Sequence, residues 1–594
     1  MCGIAGWVAP DAAPIDERAI VAMTRTLAHR GPDGEGVHIE PGCGLGHRRL
    51  ALIDVKSGAQ PMANEDGTIW VVANNEIYNY LELRASLTAR GHRFSTTSDT
   101  EVLVHLYEDL GEACVEPLVG MYACALWDRR TRTLLLVRDR FGIKPLYYAV
   151  DAHGGLRFAS ELRALLSVPG IDRQIDLLAV RDYLRDLTIA EPRTIFRGVH
   201  KLAAGHCLTW RDGVIAVRRY WRLPDRVAAS VPAAAAVQDL ERLLLESTAL
   251  SLRSDEPLGL FLSGGLDSST LAWAMHQCGA RPLRTFSVSF AEPQFDESPY
   301  SRAVAAAFDS EHHEICVSKN EATEVALRLV DWFDEPFADA SALPTYILAR
   351  EARRSVKAVL AGEGADELFG GSGWHDLGAA TARSAAELIA PPTKAIFPPV
   401  ALAAVFAADA RAQLATETSD PGAALADEMP AGVDGLHQQL YADITSYLPS
   451  DLLAKIDRMS MLNSLEVRVP YLNHPLAEFV WQLPTALKQQ NGVRKYLLRV
   501  LAERVLPPAV VTRAKQGFAI PMDTWLWEPG GFRDAVYDTL GDAHSRTRGL
   551  LDSSVIASML DEHDRLHQLH GYRLWALYVL EQWLRQAHAA GARW

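Results

Sequence analysis

A cysteine stands second in the chain, in Met1-Cys2-Gly3-Ile4-Ala5-Gly6, so removal of Met1 would make it N-terminal. An N-terminal cysteine carries a thiol and a free α-amine on one residue, and the amine can act as base for its own nucleophile. Alone the placement is weak evidence. It gains weight from a second motif far downstream, Ser263-Gly264-Gly265-Leu266-Asp267-Ser268-Ser269. Its glycines let backbone N–H groups approach an anion, and a helix opening there favours negative charge. It is not the Gly-x-x-x-x-Gly-Lys-Ser/Thr loop. Asp267 in a phosphate loop would repel phosphate unless a metal bridges them, which implies Mg2+. The plainer alternative is a turn with a capping serine. A third cluster, Gly362-Glu363-Gly364-Ala365-Asp366-Glu367, follows an apolar run ending at Leu360. By itself it reads as a solvated loop; after a buried strand its carboxylates can meet Asp267 around Mg2+. Together the motifs point to one enzyme with two active sites.

The elements that must hold these groups differ along the chain. Residues 1 to about 205 read as short strands, such as Ile69–Ala73 and Thr133–Val137, with helical patches such as Ile77–Arg90. Asp139-Arg140-Phe141-Gly142 is a turn, and an alternating βα layout is expected. The boundary is placed in Pro224–Pro232, before an amphipathic helix over Val237–Leu252, which gives domains at 1–215 and 233–594. Beyond it come a buried strand over Leu258–Leu262, the Gly turn, a helix over Ser268–Cys278, and strands over Thr285–Phe290 and Val356–Leu360. Strand, Gly turn, helix, strand implies a doubly wound parallel sheet with its site at the strand C-termini. Residues 373–594 read as mainly helical, and 373–440 carry no interpretable motif.

At 594 residues the chain is too long for one core. Its 59 basic and 74 acidic residues leave a net charge of -15, which argues against a nucleic-acid or anionic-membrane partner. The 7 cysteines are odd in number, with no Cys-x-x-Cys and no ligand-like His spacing. Reduced thiols and a cytoplasmic location are therefore expected, those from Cys43 to Cys316 without a chemical role. No signal peptide is recognisable, and Val400–Ala407 is too short to span a bilayer.

Taken in order, these motifs resemble the glutamine-hydrolysing asparagine synthetases, which join a class II glutamine amidotransferase to an ATP-pyrophosphatase-type synthetase. The resemblance covers nearly the whole chain. Besides Cys2–Gly6 and the loops above, it rests on His29-Arg30-Gly31-Pro32-Asp33, Gly46-His47-Arg48-Arg49-Leu50, Glu76-Ile77-Tyr78-Asn79, Ser98-Asp99 and Arg138–Tyr147. Asp334-Glu335-Pro336-Phe337, Leu452–Arg458, Arg468–Leu472 and Lys515-Gln516-Gly517-Phe518 complete it. It implies an N-terminal Ntn-hydrolase αββα sandwich and a C-terminal doubly wound α/β sheet with helical additions. It also implies glutamine, ATP, Mg2+ and a carboxylic acid acceptor, aspartate by default; members are often dimers, so a homodimer is one expected assembly.

Carried over by position, Cys2 attacks the glutamine amide, and Asn74 with the backbone N–H of Asn75 forms the oxyanion hole. Arg49 and Asp99 hold the α-carboxylate and α-ammonium, and Leu50, Ala51, Leu52, Ile53 and Glu76 complete the pocket. Ser263, Gly264, Gly265, Asp267 and Ser268 match the pyrophosphate binders, and Leu262, Val288, Ala361 and Gly362 the ATP contacts. Asp267 and Asp366 match Mg2+ ligands. Glu363 matches the acid of the acyl-adenylate stage, and Lys495 a lysine that neutralises phosphate charge. An ammonia tunnel joining the sites is likewise implied. An aminosugar synthase would share only the Cys2 half, and a lactam-forming relative need not keep Cys2.

The chain departs from the family at four places. Asn75 stands for Gly, which a left-handed backbone would tolerate. Ala361 stands for Ser, Ser372 for Tyr and Asn473 for Asp. The last three are expected in or near the synthetase site, which makes a different acceptor acid the alternative reading.

Overall fold

The computed structural model describes residues 2–377, 388, 395–417, 421–513 and 520–592. The Lys515–Phe518 motif lies outside the described residues, as does part of 373–440.

Among the described residues the N-terminal half contains β1 (Gly3–Val8), β2 (Gly34–Glu40), β3 (Cys43–Arg49), β4 (Met62–Ala63), β5 (Ile69–Ile77), β6 (Gly120–Asp128), β7 (Thr133–Arg138), β8 (Tyr147–Val150), β9 (Leu156–Ala159), β10 (Val199–Lys201), β11 (His206–Arg211) and β12 (Val214–Arg219). They form two six-stranded sheets, β10-β8-β9-β1-β3-β2 and β12-β11-β7-β6-β5-β4. Every pairing is antiparallel. This corrects the alternating βα expectation: neighbouring strands such as β6 and β7 are joined by tight turns, which suits antiparallel pairing.

The side-chain alternation builds four layers. On β6 and β7, Ala123, Ala125, Leu134 and Leu136 face the first sheet, where they meet Ile4, Val8 and Leu45. Their alternates Cys124, Leu126, Leu135 and Val137 face Val102, Leu103 and Leu106 of the helix Glu101–Leu110. Ala5 of β1 turns the other way, into a cluster with Ile20, Met23 and Leu27 from the helix Glu17–Thr26 and its end. The result is the αββα sandwich. The expected helix over Ile77–Arg90 is shorter, Tyr80–Ala89, because β5 stays paired with β6 as far as Ile77 opposite Gly120.

The C-terminal half is built on β13 (Leu258–Phe261), β14 (Arg284–Phe290), β15 (Glu311–Val317), β16 (Ala358–Leu360) and β17 (Glu466–Arg468). Their order is β15-β14-β13-β16-β17, and all are parallel. The order reverses between β13 and β16, so the loops leaving these two strands diverge and open a crevice at their C-terminal ends. The rest of this half is mainly helical.

The halves are locked by buried ion pairs. Arg468 of β17 pairs with Glu76 of β5 at 2.7 Å, and Arg30 of the first half with Asp457 of the second at 3.0 Å. Charges without access to water are stable only when matched in this way. All seven cysteines are free, and only Cys316 is exposed. No helix among the described residues is long and apolar enough to cross a membrane.

Two candidate active sites

The first site forms where β1 and β5 meet. Cys2 is buried, and its backbone nitrogen donates to Asn74 Oδ1 at 2.9 Å. That bond fixes the Asn74 amide, leaving Nδ2 buried without a hydrogen-bond partner. An orphaned buried donor costs roughly 1–3 kcal/mol unless a ligand uses it. Burial pushes the Cys2 thiol up, while the Leu50 N–H and the Arg49 charge pull it back.

Arg49 ends β3, and its guanidinium is held by the carbonyls of Ile53 (3.3 Å), Asp54 (2.5 Å) and Val55 (3.1 Å). The loop carrying Leu50–Ile53 is in turn gripped by the C-terminal half: Asp255 N–H donates to the Leu52 carbonyl at 2.9 Å, and Asp54 N–H to Asp255 Oδ2 at 2.8 Å. Asp99 accepts from the Ile77 N–H at 2.8 Å and from Asn75 Nδ2 at 2.7 Å. Burial pushes the Asp99 carboxyl up to about 6, with the Ile77 N–H holding it back.

Asn75 corrects an expectation. It lies inside β5 opposite Tyr122 and has no left-handed backbone, so no special tolerance is needed. Its side chain is engaged by Asp99 and by Thr100, whose Oγ1 donates to Asn75 Oδ1 at 3.1 Å. Glu76 is turned to Arg468.

The second site is the crevice between β13 and β16, a cavity of about 970 Å³. Leu262, Ser263, Gly265, Asp267, Ser268, Val288, Ala361, Gly362, Glu363, Asp366 and Lys495 all line it. Gly264 does not. Its φ is +72°, and a Cβ there would sit 2.5 Å from the Ser301 nitrogen, so glycine is needed for the close approach of the next helix. The helix after β13 runs Leu266–Gln277, starting two residues before the expected Ser268, which puts Asp267 in its first turn rather than before it. Ser268 Oγ is 3.1 Å from Ser263 Oγ and accepts from the Ser263 N–H at 3.2 Å, tying the loop to the helix.

Asp267 and Asp366 converge. Between them, however, lies Lys495 Nζ, 2.6 Å from both Asp267 oxygens and 2.8 Å from Asp366 Oδ1. Burial opposes the Lys495 charge, but the two carboxylates more than restore it. Gly371 makes room: a Cβ there would stand 1.9 Å from Asp366 Oδ1 and 2.0 Å from Lys495 Cε. Glu363 is raised by burial, against the pull of Lys455, and its Oε2 is buried without a hydrogen-bond partner.

Of the departures, Ala361 and Ser372 line the cavity. Asn473 is not among the lining residues. Its Nδ2 donates to Ser247 Oγ at 2.7 Å, on the helix Ala233–Ser251, so the acceptor argument loses this residue.

Some polar residues around the sites were in the motifs but had no assigned role. Arg30 is fully buried; it donates to the Cys2 carbonyl at 3.1 Å, to Glu161 at 3.0 Å and to Asp457 at 3.0 Å. Asp457 lies on the helix Leu453–Met461. Two residues earlier, Lys455 faces the cavity wall and is held by Asp339 and Ser341, each at 2.8 Å. Positions two apart point to different sides of a helix, so this helix touches both sites.

Comparison with known proteins agrees with this division. The family model for the glutamine amidotransferase domain matches residues 1–221, and that for asparagine synthase matches 239–585. Asparagine synthetase [glutamine-hydrolyzing] 1 of Bacillus subtilis is 32% identical over 98% of this chain and 96% of its own length. A putative glutamine-hydrolysing asparagine synthetase of Mycobacterium bovis is 33% identical over 98% and 97%. Among solved structures, the allosteric regulatory enzyme of purine biosynthesis aligns at a TM-score of 0.30, with 16% identity, over 53% of this chain and 80% of its own. The chain is thus an enzyme of the glutamine-hydrolysing asparagine synthetase family, a carbon–nitrogen ligase that takes its nitrogen from glutamine.

Proposed function

We propose that the chain amidates a carboxylic acid, aspartate by default, through an acyl-adenylate attacked by ammonia from glutamine. The observation that carries the reading is a pair of buried, unpartnered polar atoms, one at each site: Asn74 Nδ2 beside Cys2 and Glu363 Oε2 in the cavity. Each is of the type its half-reaction needs.

With Met1 removed, the Cys2 α-amine takes the thiol proton as Sγ bonds to the glutamine amide carbon. Asn74 Nδ2 and the Asn75 N–H receive the oxyanion, Arg49 the α-carboxylate and Asp99 the α-ammonium. The Cys2 α-ammonium returns its proton to the amide nitrogen, and collapse expels ammonia and leaves a thioester, which water cleaves to glutamate.

In the cavity, Ser263, Gly265, Ser268 and the first-turn amides of Leu266–Gln277 bind the pyrophosphate portion of ATP, with Leu262, Val288, Ala361 and Gly362 beside the nucleotide. Asp267 and Asp366 would hold Mg2+, which offsets phosphate charge when bound; their convergence on one point, and their all-oxygen donor set, suit that ion. Lys495 then leaves them for the phosphates. An oxygen of the acceptor carboxylate bonds to the α-phosphorus and pyrophosphate departs. Ammonia bonds to the acyl carbon, Glu363 takes a proton, and AMP departs.

Ammonia released into water would be protonated and unreactive. A dry path is supported by the apolar cluster of Leu50 and Leu52 from the first site's loop with Ala358 of β16 and Met461. A second reading, a different acceptor acid, is favoured by Ala361 and Ser372 in the cavity wall.

The test is product analysis with ATP, Mg2+, aspartate and glutamine labelled in its amide nitrogen. Labelled asparagine with AMP and pyrophosphate is expected. Glutamate and labelled ammonia without asparagine would overturn aspartate and favour the second reading. No glutamate at all would overturn the role of Cys2.

A further inference from the structure

Four side chains in the N-terminal half have no part in either half-reaction, yet they converge from three separate segments. Glu65 lies in the turn between β4 and β5, His92 just after the helix Tyr80–Ala89, and His105 and Glu108 one turn apart on the helix Glu101–Leu110. Each offers one ligand atom, and these atoms all lie within 4.8 Å of one another.

Three of the separations are close to those between ligands of one ion, the shortest being also a hydrogen bond in this ion-free structure. His105 Nδ1 is 3.1 Å from Glu108 Oε2 and 3.5 Å from Glu65 Oε2, and His92 Nδ1 is 3.4 Å from Glu108 Oε2. Four ligands at about 2.0–2.2 Å from a tetrahedral zinc ion stand about 3.3–3.5 Å apart. The outer atoms are arranged to match. Glu65 Oε1 accepts from the Arg93 N–H at 2.7 Å, and Glu108 Oε1 from Asn64 Nδ2 at 2.8 Å, which turns both Oε2 atoms inward. On the far sides of the rings, His92 Nε2 is 3.1 Å from Asp109 Oδ1, while the buried His105 Nε2 faces Glu101 Oε1 at 3.9 Å without a hydrogen bond. A carboxylate behind each metal-binding imidazole is the usual support for such a ligand.

A cluster of protonated histidines among acids is the competing account. It leaves the two rings, with centres 4.9 Å apart, sharing the acids between them, and full protonation of both would set two like charges side by side, one with only 1% of its side chain exposed. One divalent ion would meet both rings and both acids without setting two imidazolium charges side by side. Two imidazoles with two carboxylates suit zinc-type transition metals better than Mg2+ or Ca2+, which take oxygen ligands.

We propose that Glu65, His92, His105 and Glu108 bind one zinc-type divalent transition-metal ion in tetrahedral geometry. The ion would staple the segment from His92 to Thr100, which carries Asp99, onto the helix behind it. The site stands independently of the proposed reaction.

The test is Co2+ titration of untagged, chelator-stripped, full-length protein, followed by visible absorption. One equivalent with the intense bands of tetrahedral Co2+, displaced by Zn2+, is expected, with a thermal midpoint raised by a few degrees in excess Zn2+. His92→Ala and Glu65→Gln, both at partly exposed positions, should each abolish the bands and the Zn2+-dependent rise while the metal-free protein still melts cooperatively. If His92→Ala does not fold, Glu65→Gln alone decides. No uptake, a weak octahedral spectrum, or uptake unchanged in the folded variants would overturn the site.

Discussion

The two candidate sites differ in how complete they are before substrate arrives. Beside Cys2 nearly every polar group is already tied to the frame: Arg49 by three carbonyls, Asp99 by Ile77 and Asn75, and Cys2 by Asn74 and Arg30. What is left over is one buried donor, Asn74 Nδ2, which the proposed reaction assigns to the oxyanion. The cavity at β13 and β16 is the opposite case. Its key charges, Lys495, Asp267 and Asp366, are satisfied by one another. In the proposed reaction ATP must break those contacts to use them, so part of its binding energy would go into rearrangement. An antiparallel sheet interior suits the first arrangement, because ladder bonds fix backbone and side chains together. Diverging loops at a parallel-sheet switch point suit the second, because they leave room for a large ligand and for side chains to move.

That contrast predicts effects confined to one site. The largest is expected from Cys2→Ala. Glutamine-driven amide synthesis should fall at least about a thousandfold, as it does when a nucleophile is removed elsewhere. Synthesis from added ammonium chloride should persist, measured as AMP release. A parallel loss with both nitrogen sources would mean that the sites are not separable. Glu363→Gln should do the reverse. Losing a buried proton acceptor should slow synthesis from either nitrogen source by on the order of a hundredfold, with glutamate formation unchanged. An equal effect on glutaminase turnover would show that the cavity controls the first site.

Much of this division was legible in the residues. The run Leu258–Phe261, the glycines after it and the polar first turn of Leu266–Gln277 form a local signal, because strand, turn and helix are contiguous. So do the short β-rich runs and the turn of Asp139, whose carboxylate accepts from the Ile143 and Lys144 N–H groups at 2.9 Å. What could not be read was assembly across distance. The antiparallel sheet order places β1 between β9 and β3, and no periodicity reports that. Arg30 meets Asp457 across 427 positions. Lys495 sat in a motif, but only the fold puts its ammonium between two carboxylates thought to await a metal. The absence of ligand-like spacing hid Glu65, His92, His105 and Glu108 for the same reason: tertiary folding alone gathers them.

The tightness of the first site also makes its pH response specific. Asp99 is pushed from its ordinary range up to about 6, so it is largely neutral below that pH. A neutral carboxyl could not pair with the glutamine α-ammonium, the role proposed for Asp99. The kcat/KM of glutamine hydrolysis should therefore fall about tenfold per pH unit below about 6, since the ionised fraction falls so. The sign for stability is opposite. A raised acid favours the fold while protonated, and that contribution is lost as pH rises through about 6. ATP–pyrophosphate exchange, which does not use Asp99, should lack this midpoint; finding it there would assign the titration to another group.

The smallest effect sharpens that profile. Asn75 Nδ2 donates to Asp99 Oδ2 at 2.7 Å, and this bond favours the ionised carboxylate. Asn75→Gly removes the donor and restores the residue that the family resemblance leads one to expect. A lost hydrogen bond to a charged group is worth about 1.5–3 kcal/mol when fully buried, and about half of that is recovered if water enters the space left. The acid midpoint of glutamine kcat/KM should then move upward by roughly half a unit to one unit. Above pH 7.5 the variant should hydrolyse glutamine nearly as fast as the parent, because the carboxylate is ionised in both. Unchanged midpoints would mean that Ile77 N–H and burial alone set the acidity of Asp99, and that Asn75 serves the strand rather than the substrate. A variant slow at every pH would instead mean that the Asn75 side chain helps to hold glutamine itself.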